Sequence, residues 1–216
     1  CPCYCTPMNR SRTGPILSIP LHLHVRGDMA CFSRPEFSTD RVSYPVMPFS
    51  AARGLLTGVL AKSTLEWRVN RIFVLSPIRF LTMGARHEIK DNGEPTLART
   101  IFLRNPEYVI EAQIELLSEQ TIDANLGKYE AMFLRYRDRG SLIKPVFLGM
   151  RECLALVGPP PTNWRTQART ANPEHDPFLG RMPLTVTYSE TGRPERATFV
   201  EFEFDAAAGS YEPVRS

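Results

Sequence analysis

The amino-acid sequence predicts an α+β fold: a ferredoxin-like or RRM-like N-terminal domain followed by a small C-terminal antiparallel β extension. Three observations carry this expectation. Leu17, Ile19, Leu21, Leu23 and Val25 alternate with polar residues, the period-two mark of a half-buried strand. Two segments of helical spacing are each flanked by strand-like runs, and the order strand, helix, strands, helix, strand is that of a split β-α-β unit. Beyond a Pro-rich stretch, two further strand-like runs stand together near the C-terminus.

Taken in order, residues 1–15 form a polar tail expected to be disordered, and the first strand spans Ile16 to Val25. A turn at Gly27-Asp28 leads through a Pro-containing loop to Ser50, an expected N-cap. Ala51, Ala52, Leu55, Leu56, Val59 and Leu60 then repeat at helical spacing to about Lys62. Leu65 to Leu75 and Ile78 to Met83, rich in β-branched and aromatic residues, read as strands, with a charged hairpin around Asp91-Asn92-Gly93. Thr96 to Arg104 and Tyr108 to Leu117 read as a second antiparallel pair joined by Asn105-Pro106. Gly127 to Arg139 is a second helix with Tyr129, Met132, Phe133 and Tyr136 on its apolar side. Gly140 stops it, and Arg151 to Val157 return as a strand. The first domain is therefore expected over residues 16–157. Residues 158–216 are read as a Pro-rich surface loop to Gly180 and a small sheet, in which Leu184 to Tyr188 and Ala197 to Phe204 form a hairpin across Gly192.

With 26 Lys and Arg against 23 Asp and Glu, the formal charge is +3, a balance compatible with nucleic acid but too mild to identify such a partner. No apolar run approaches the roughly 18 to 20 residues of a spanning helix, so no membrane association is expected. Cys1, Cys3 and Cys5 crowd the N-terminus, while Cys31 and Cys153 stand apart; this is no disulfide framework, and no downstream His or Cys pair completes a zinc-like spacing. Without a signal-peptide pattern, the reducing cytoplasm is the expected compartment.

Two constellations carry chemistry. From Gly27 to Gly54 the chain gathers Arg34, Arg41, Tyr44 and Arg53 around a helix N-terminus, a grouping suited to oriented phosphates; a buried turn before an ordinary capped helix accommodates the same residues. From Lys128 onward, Arg135, Arg137, Arg139, Lys144 and Arg151 interleave with Tyr129, Phe133, Tyr136 and Phe147. Cations with aromatics suit single-stranded RNA, whose phosphates need charge and whose splayed bases stack on rings; a solvated helix with core aromatics is the plainer alternative. His22 and His24 share one strand face without a carboxylate near them in sequence, and His87 and His175 fall in expected loops. No metal site and no cofactor are called for by these spacings, and no P-loop, nucleophile elbow or His-Glu-x-x-His stands in the chain.

Gly27-Asp28, Cys31-Phe32, Arg34-Pro35-Glu36, Arg41-Val42-Ser43-Tyr44 and Ser50-Ala51-Ala52-Arg53-Gly54 stand in this order. Together they resemble the N-terminal signature of the subtype I-C members of the fifth Cas family of CRISPR-associated proteins. The likeness continues through Trp67 to Pro77, Arg79-Phe80, Tyr108 to Ala112, Gly127-Lys128 and Leu148-Gly149-Met150-Arg151-Glu152, covering about residues 16–157. It implies an endoribonuclease that cuts precursor CRISPR RNA beside the repeat hairpin without a metal. It also implies that the product's 5′ handle stays bound and that the partners are the other backbone and large subunits of a type I-C surveillance complex. The RNA's own 2′-hydroxyl would attack the adjacent phosphate, leaving a cyclic phosphate and a free 5′-hydroxyl.

By position, the family's catalytic tyrosine falls on Tyr44 and its lysine on Lys128, while its histidine is replaced by Tyr129. A phenol, with a reference pKa of about 10, is a poorer base near neutrality than an imidazole. The resemblance therefore leaves open a slow nuclease built on Tyr44, Lys128 and Tyr129, a contribution from His87, or a handle-binding subunit without chemistry. Arg34, Arg41, Arg53, Arg135, Arg137 and Lys144 are the candidate RNA contacts. A duplex-DNA-binding protein is the remaining alternative that the basic balance allows.

Overall fold

The computed structural model describes residues 16–37, 40–89, 95–116, 126–188 and 194–214. The expected disordered tail, the Asp91-Asn92-Gly93 hairpin and Gly192 lie outside them. The strands are β1 (Leu21–Arg26), β2 (Met29–Ala30), β3 (Arg41–Val42), β4 (Leu65–Val74), β5 (Phe80–Ile89), β6 (Pro95–Arg104), β7 (Glu107–Leu116), β8 (Leu156–Gly158), β9 (Phe178–Tyr188), β10 (Pro194–Asp205) and β11 (Ser210–Pro213). The helices are α1 (Phe49–Val59), α2 (Leu126–Arg139) and α3 (Trp164–Ala171).

A seven-stranded sheet has the order β8-β1-β7-β4-β11-β10-β9 and is antiparallel throughout its described pairings. Its first four strands, with α1 between β1 and β4 and α2 between β7 and β8, are the β-α-β-β-α-β succession of a ferredoxin-like unit. The expected split β-α-β is therefore present. Alternation explains which face each helix covers. Leu21, Leu23 and Val25 of β1, Tyr108 and Ile110 of β7, and Ile72 and Val74 of β4 are buried in the main core with α1 and with Tyr129 and Phe133 of α2. Phe73 and Val109, one residue out of phase, join Leu75, Ala168 and Trp164 in a second core beneath α3 on the opposite face.

The loops inserted into this unit pair with one another. The β1–α1 connection supplies β2 and β3, the β4–β7 connection supplies β5 and β6, and all four make a second sheet around β6. This corrects the expected pairing of Thr96–Arg104 with Tyr108–Leu117: β6 and β7 part at Asn105, whose φ is 47°, and enter different sheets. The physical reason lies in β7, where Tyr108 and Ile110 bury into the main core and Val109 into the core beneath α3, so the strand belongs in the sheet that has a helical layer on each face. The extended β5 also carries His87, so that residue sits in a strand rather than a loop.

Four further expectations change. Helix α1 begins at Phe49 with Pro48 in the cap position and no side-chain cap, so Ser50 lies inside the first turn rather than capping it. Arg151–Val157 is mostly a tight turn, with Leu148 N–H bonded to Cys153 O and Cys153 N–H to Met150 O, and only Leu156–Gly158 pairs as strand. The expected loop between Gly158 and Gly180 contains α3, whose apolar stripe is no more than Trp164 and Ala168, one turn apart. The C-terminal hairpin does not stand as a sheet of its own: β11 pairs with both β10 and β4, so the extension continues the main sheet.

The α3 face carries a polar layer that sequence neighbours do not reveal. His22 meets Glu111, its cross-strand partner, at 3.2 Å, and His24 meets Glu107 at 2.8 Å. Gln167 of α3 donates to Glu107, and Trp164 lies 5.4 Å from the His22 ring. The hydrogen bond from His22 holds the Glu111 carboxyl below its ordinary pKa, with Arg71 and Arg165 adding to the effect against a smaller opposing desolvation.

Two expected outcomes follow from this packing. Gly209 has φ 65° and a Cβ built there would lie 2.0 Å from Ala168 O, where the β10–β11 turn meets α3. Gly209→Ala should cost roughly 2 kcal/mol or more, visible as a Tm drop of about 4–8 °C. Because Glu111 is depressed in the folded state, its contribution is present above its unfolded pKa and is lost as pH falls through the lower folded value. Glu111→Gln should accordingly flatten the acid limb of a stability–pH curve followed by circular dichroism, and an unchanged limb would show that the pair does not act this way.

Candidate RNA interface beside helix α1

The β1–α1 connection folds back on itself before reaching the helix. Arg34 N–H bonds Val42 O at 2.9 Å, Tyr44 N–H bonds Phe32 O at 2.8 Å, and the Ser43 hydroxyl accepts Phe32 N–H at 3.0 Å while donating to Tyr44 O. These bonds place Tyr44 at 2% exposure with the Arg34 guanidinium over its ring, 5.1 Å from the centroid. The Tyr44 hydroxyl and Arg34 Nε are both buried, and neither has a hydrogen-bond partner among the described residues. Leaving such a group unsatisfied costs about 1–3 kcal/mol, so the position is not one that stability selects. Burial and the nearby Glu36 push the Tyr44 phenol above its ordinary pKa, with Arg34 opposing. It is a hydroxyl donor at neutral pH, not a phenolate.

Tyr44 lines an open groove of about 630 Å³. One wall is α1 from Ser50 to Gly54, another is Lys144 to Phe147, and the third is the C-terminal hairpin through Pro183, Val186 and Phe199. Gly58 makes the close packing possible on one side, since a Cβ there would lie 2.3 Å from Val146 Cγ1. The first turn of α1 holds no acidic residue. The groove therefore offers apolar and aromatic surface, an uncapped helix start, an ammonium at Lys144 and an unpartnered phenol.

The remaining sequence-derived candidates are dispersed. Tyr129 is 9% exposed, and its hydroxyl lies 3.1 Å from Thr64 Oγ1 in the turn after α1. Lys128 precedes it, exposed, in the first turn of α2. Tyr44 and the Lys128-Tyr129 pair thus sit towards opposite ends of α1, an 11-residue helix about 16 Å long. Arg53 is ion-paired with Glu66, Arg41 reaches Met150 Sδ, and Arg137 donates to Asp138 and to His22 O. Arg135 stacks near Tyr136 at 5.5 Å. Arg34, Tyr44 and Lys144 are what the fold brings together, across about a hundred residues of chain. Ser50, Gly54 and Phe147 stood within the two constellations read from the sequence, whereas Pro183, Val186 and Phe199, the hairpin wall, had no signal in the motifs.

Comparison with known proteins agrees with this architecture. Residues 21–198 match the family model described as CRISPR-associated protein (Cas_Cas5), in its Cas5d form. A protein of Mannheimia succiniciproducens named CRISPR pre-crRNA endoribonuclease Cas5d is 33% identical over 155 residues, covering 61% of this chain and 68% of that protein. One of the same name from Thermus thermophilus is 36% identical over 149 residues, covering 65% of this chain and 64% of that one. The chain thus spans about two thirds of the length of these relatives. A crystal structure of a CRISPR-associated protein superposes with a TM-score of 0.74 at 23% identity, covering 94% of this chain and 95% of the other. A functionally uncharacterized protein of Streptococcus mutans gives 0.68 at 21% identity with the same coverage, and both likenesses establish the fold. By the family match and the identity to two curated relatives, this chain belongs to the Cas5 family of CRISPR-associated proteins, in its Cas5d branch.

Proposed function

We propose that this chain is a precursor CRISPR RNA endoribonuclease that cuts beside the repeat hairpin and retains the 5′ handle as a subunit of a cytoplasmic type I-C complex. The observation that carries this reading is the buried, unpartnered Tyr44 phenol beside Arg34 in an open groove that Lys144 also lines. Such a hydroxyl has no acceptor among the described residues, and a small shift of the groove wall on binding gives it a phosphate oxygen to donate to. In the proposed step the RNA 2′-oxygen bonds to the adjacent phosphorus and yields its proton to solvent water, the bond from phosphorus to the 5′-oxygen breaks, and the leaving oxygen takes a proton, so that one proton is lost and one gained. Tyr44, kept protonated by burial, hydrogen-bonds the phosphate or the leaving oxygen. An ammonium beside the phosphorane stabilises its developing charge: Lys144 lines the groove that Tyr44 lines, whereas Lys128, to which the family motif gives this role, precedes Tyr129 towards the other end of α1. Arg34, the helix start and Lys144 hold the strand, and other Cas subunits bind around it.

A second reading, handle binding without cleavage, is favoured by one observation. Tyr129 replaces the family's histidine, and its hydroxyl is engaged with Thr64 at the far end of α1 from Tyr44. A phosphate that touches Tyr44 does not touch Tyr129 in this arrangement. Cleavage and binding are separable by incubating the protein with end-labelled repeat RNA in EDTA and resolving products on a denaturing gel. One cut with a cyclic-phosphate end supports the nuclease, and intact RNA held tightly supports the second reading.

Tyr44→Phe removes a hydroxyl without a protein partner, so Tm should hold or rise while cleavage falls by about 10²-fold or more. Wild-type cleavage by this variant would remove Tyr44 from the reaction. Lys128→Ala discriminates between the two ammonium groups: abolished cleavage, with the salt slope of single-strand binding lowered by only about 0.7, would assign the reaction to the family's lysine rather than to Lys144. If Lys128→Ala cuts normally, the reaction belongs to the Tyr44–Lys144 groove alone.

A further inference from the structure

Among the glycines that pack against other elements, the absence of a side chain is explained by the protein itself. A Cβ at Gly27 would lie 2.7 Å from Leu148, at Gly58 2.3 Å from Val146, and at Gly149 2.0 Å from Cys31 O. Gly54 is different. It sits in the middle of α1, where glycine is the least favourable residue after proline, its φ is not in the left-handed region, and an added Cβ would meet nothing within 4 Å. Neither backbone conformation nor internal packing calls for it. It is exposed, and it lines the groove one turn along from Ser50.

We infer that Gly54 is a ligand-contact glycine: it lets the sugar-phosphate backbone of single-stranded RNA lie directly on α1, with a phosphate at the helix start and Lys144, and a base against Phe147 and Phe199. This rests on the proposed function and names how the groove takes its substrate. Three features choose RNA over an apolar peptide as the occupant. The helix start has no side-chain cap and no acidic residue in its first turn, so its partial positive charge faces the groove uncompensated. Lys144 stands on the adjoining wall. The Tyr44 phenol, 2% exposed and lacking a partner, is an independent polar group at the same groove awaiting an acceptor. Glu36 is felt by that phenol, yet Arg34 lies over the ring and offsets it. The half-buried Phe147 and Phe199 supply ring faces on the loop and hairpin walls, the surface on which an unpaired base stacks.

The inference makes a prediction of unusual sign, since filling Gly54 should help the fold and harm binding. Gly54→Ala should raise Tm by about 2–4 °C from helix propensity alone. Gly54→Leu should remain folded, while its longer side chain occupies the strand's path and weakens handle-RNA affinity by about tenfold or more, measured by fluorescence anisotropy at fixed salt. Gly158 on β8 also has open space at its Cβ and serves as the control: Gly158→Leu should bind RNA as the wild type does. If Gly54→Leu keeps its Tm and binds handle RNA at wild-type affinity, the strand does not cross α1 and the inference is overturned while the proposed function stands. If the wild type shows no preference for repeat RNA over an unrelated strand, the proposed function itself falls. Retention of RNA binding with selective loss of a protein partner in Gly54→Leu would make the groove a peptide site and overturn the inference as well.

Discussion

The carbonyl of Met47 is held by a clasp on which the arrangement of the groove depends. Tyr211 of β11, fully buried, donates its hydroxyl to Met47 O at 2.5 Å, and the buried Tyr108 hydroxyl oxygen of β7 accepts from the Met47 backbone. Burial pushes both phenols well above their ordinary pKa, so both remain protonated at any physiological pH. A carbonyl buried without such a donor would carry the full cost of lost hydration. The clasp joins the segment between Tyr44 and α1 to the central strand of the ferredoxin-like unit and to the last strand of the extension. It thereby positions Tyr44 on one side and the helix start on the other.

From this follows the contrast between the two ends of α1. At the start of the helix, polar groups are deliberately left over: a phenol without an acceptor, a guanidinium Nε without a partner, and a helix end without a cap. At the far end the groups are satisfied among themselves, with Tyr129 on Thr64 and the indole of Trp67 on Leu60 O at 2.9 Å. Trp67 in turn packs against Phe133 at 5.0 Å, which ties α2 to β4. The satisfied end makes a rigid frame, and the unsatisfied end is where a ligand gains most by supplying what the protein lacks.

What was legible in the sequence was whatever local periodicity records. Alternation along Leu21, Leu23 and Val25 and the helical spacing of Ala52, Leu55, Leu56 and Val59 announce elements whose burial follows that spacing, and the β-α-β-β-α-β order comes with them. The structure departs where nonlocal demands decide. The parting of β6 from β7 depends on which strand is covered twice, and α3 is stabilised by a contact between Ala168 and the Gly209 turn that no window of sequence contains. The motif residues were legible as a set, yet their grouping was not. Tyr44 and Lys144 converge through a loop that returns along α1, whereas Arg53, close to Tyr44 in sequence, is turned to Glu66.

The place of β11 has a consequence for how the molecule is made. It is the last strand in the chain among the described residues, yet it stands inside the sheet, between β4 and β10, and it is the link through which β9 and β10 reach the rest. A chain emerging from the ribosome can complete β1 to β8 early, but the β9–β10 hairpin has no sheet to join until β11 has been synthesised. Pairings between such distant segments are slow because loop-closure entropy must be overcome first. The groove wall formed by Pro183, Val186 and Phe199 accordingly joins the sheet only once β11 has paired with β4, so the surface that faces α1 is completed by one of the most distant pairings in the fold.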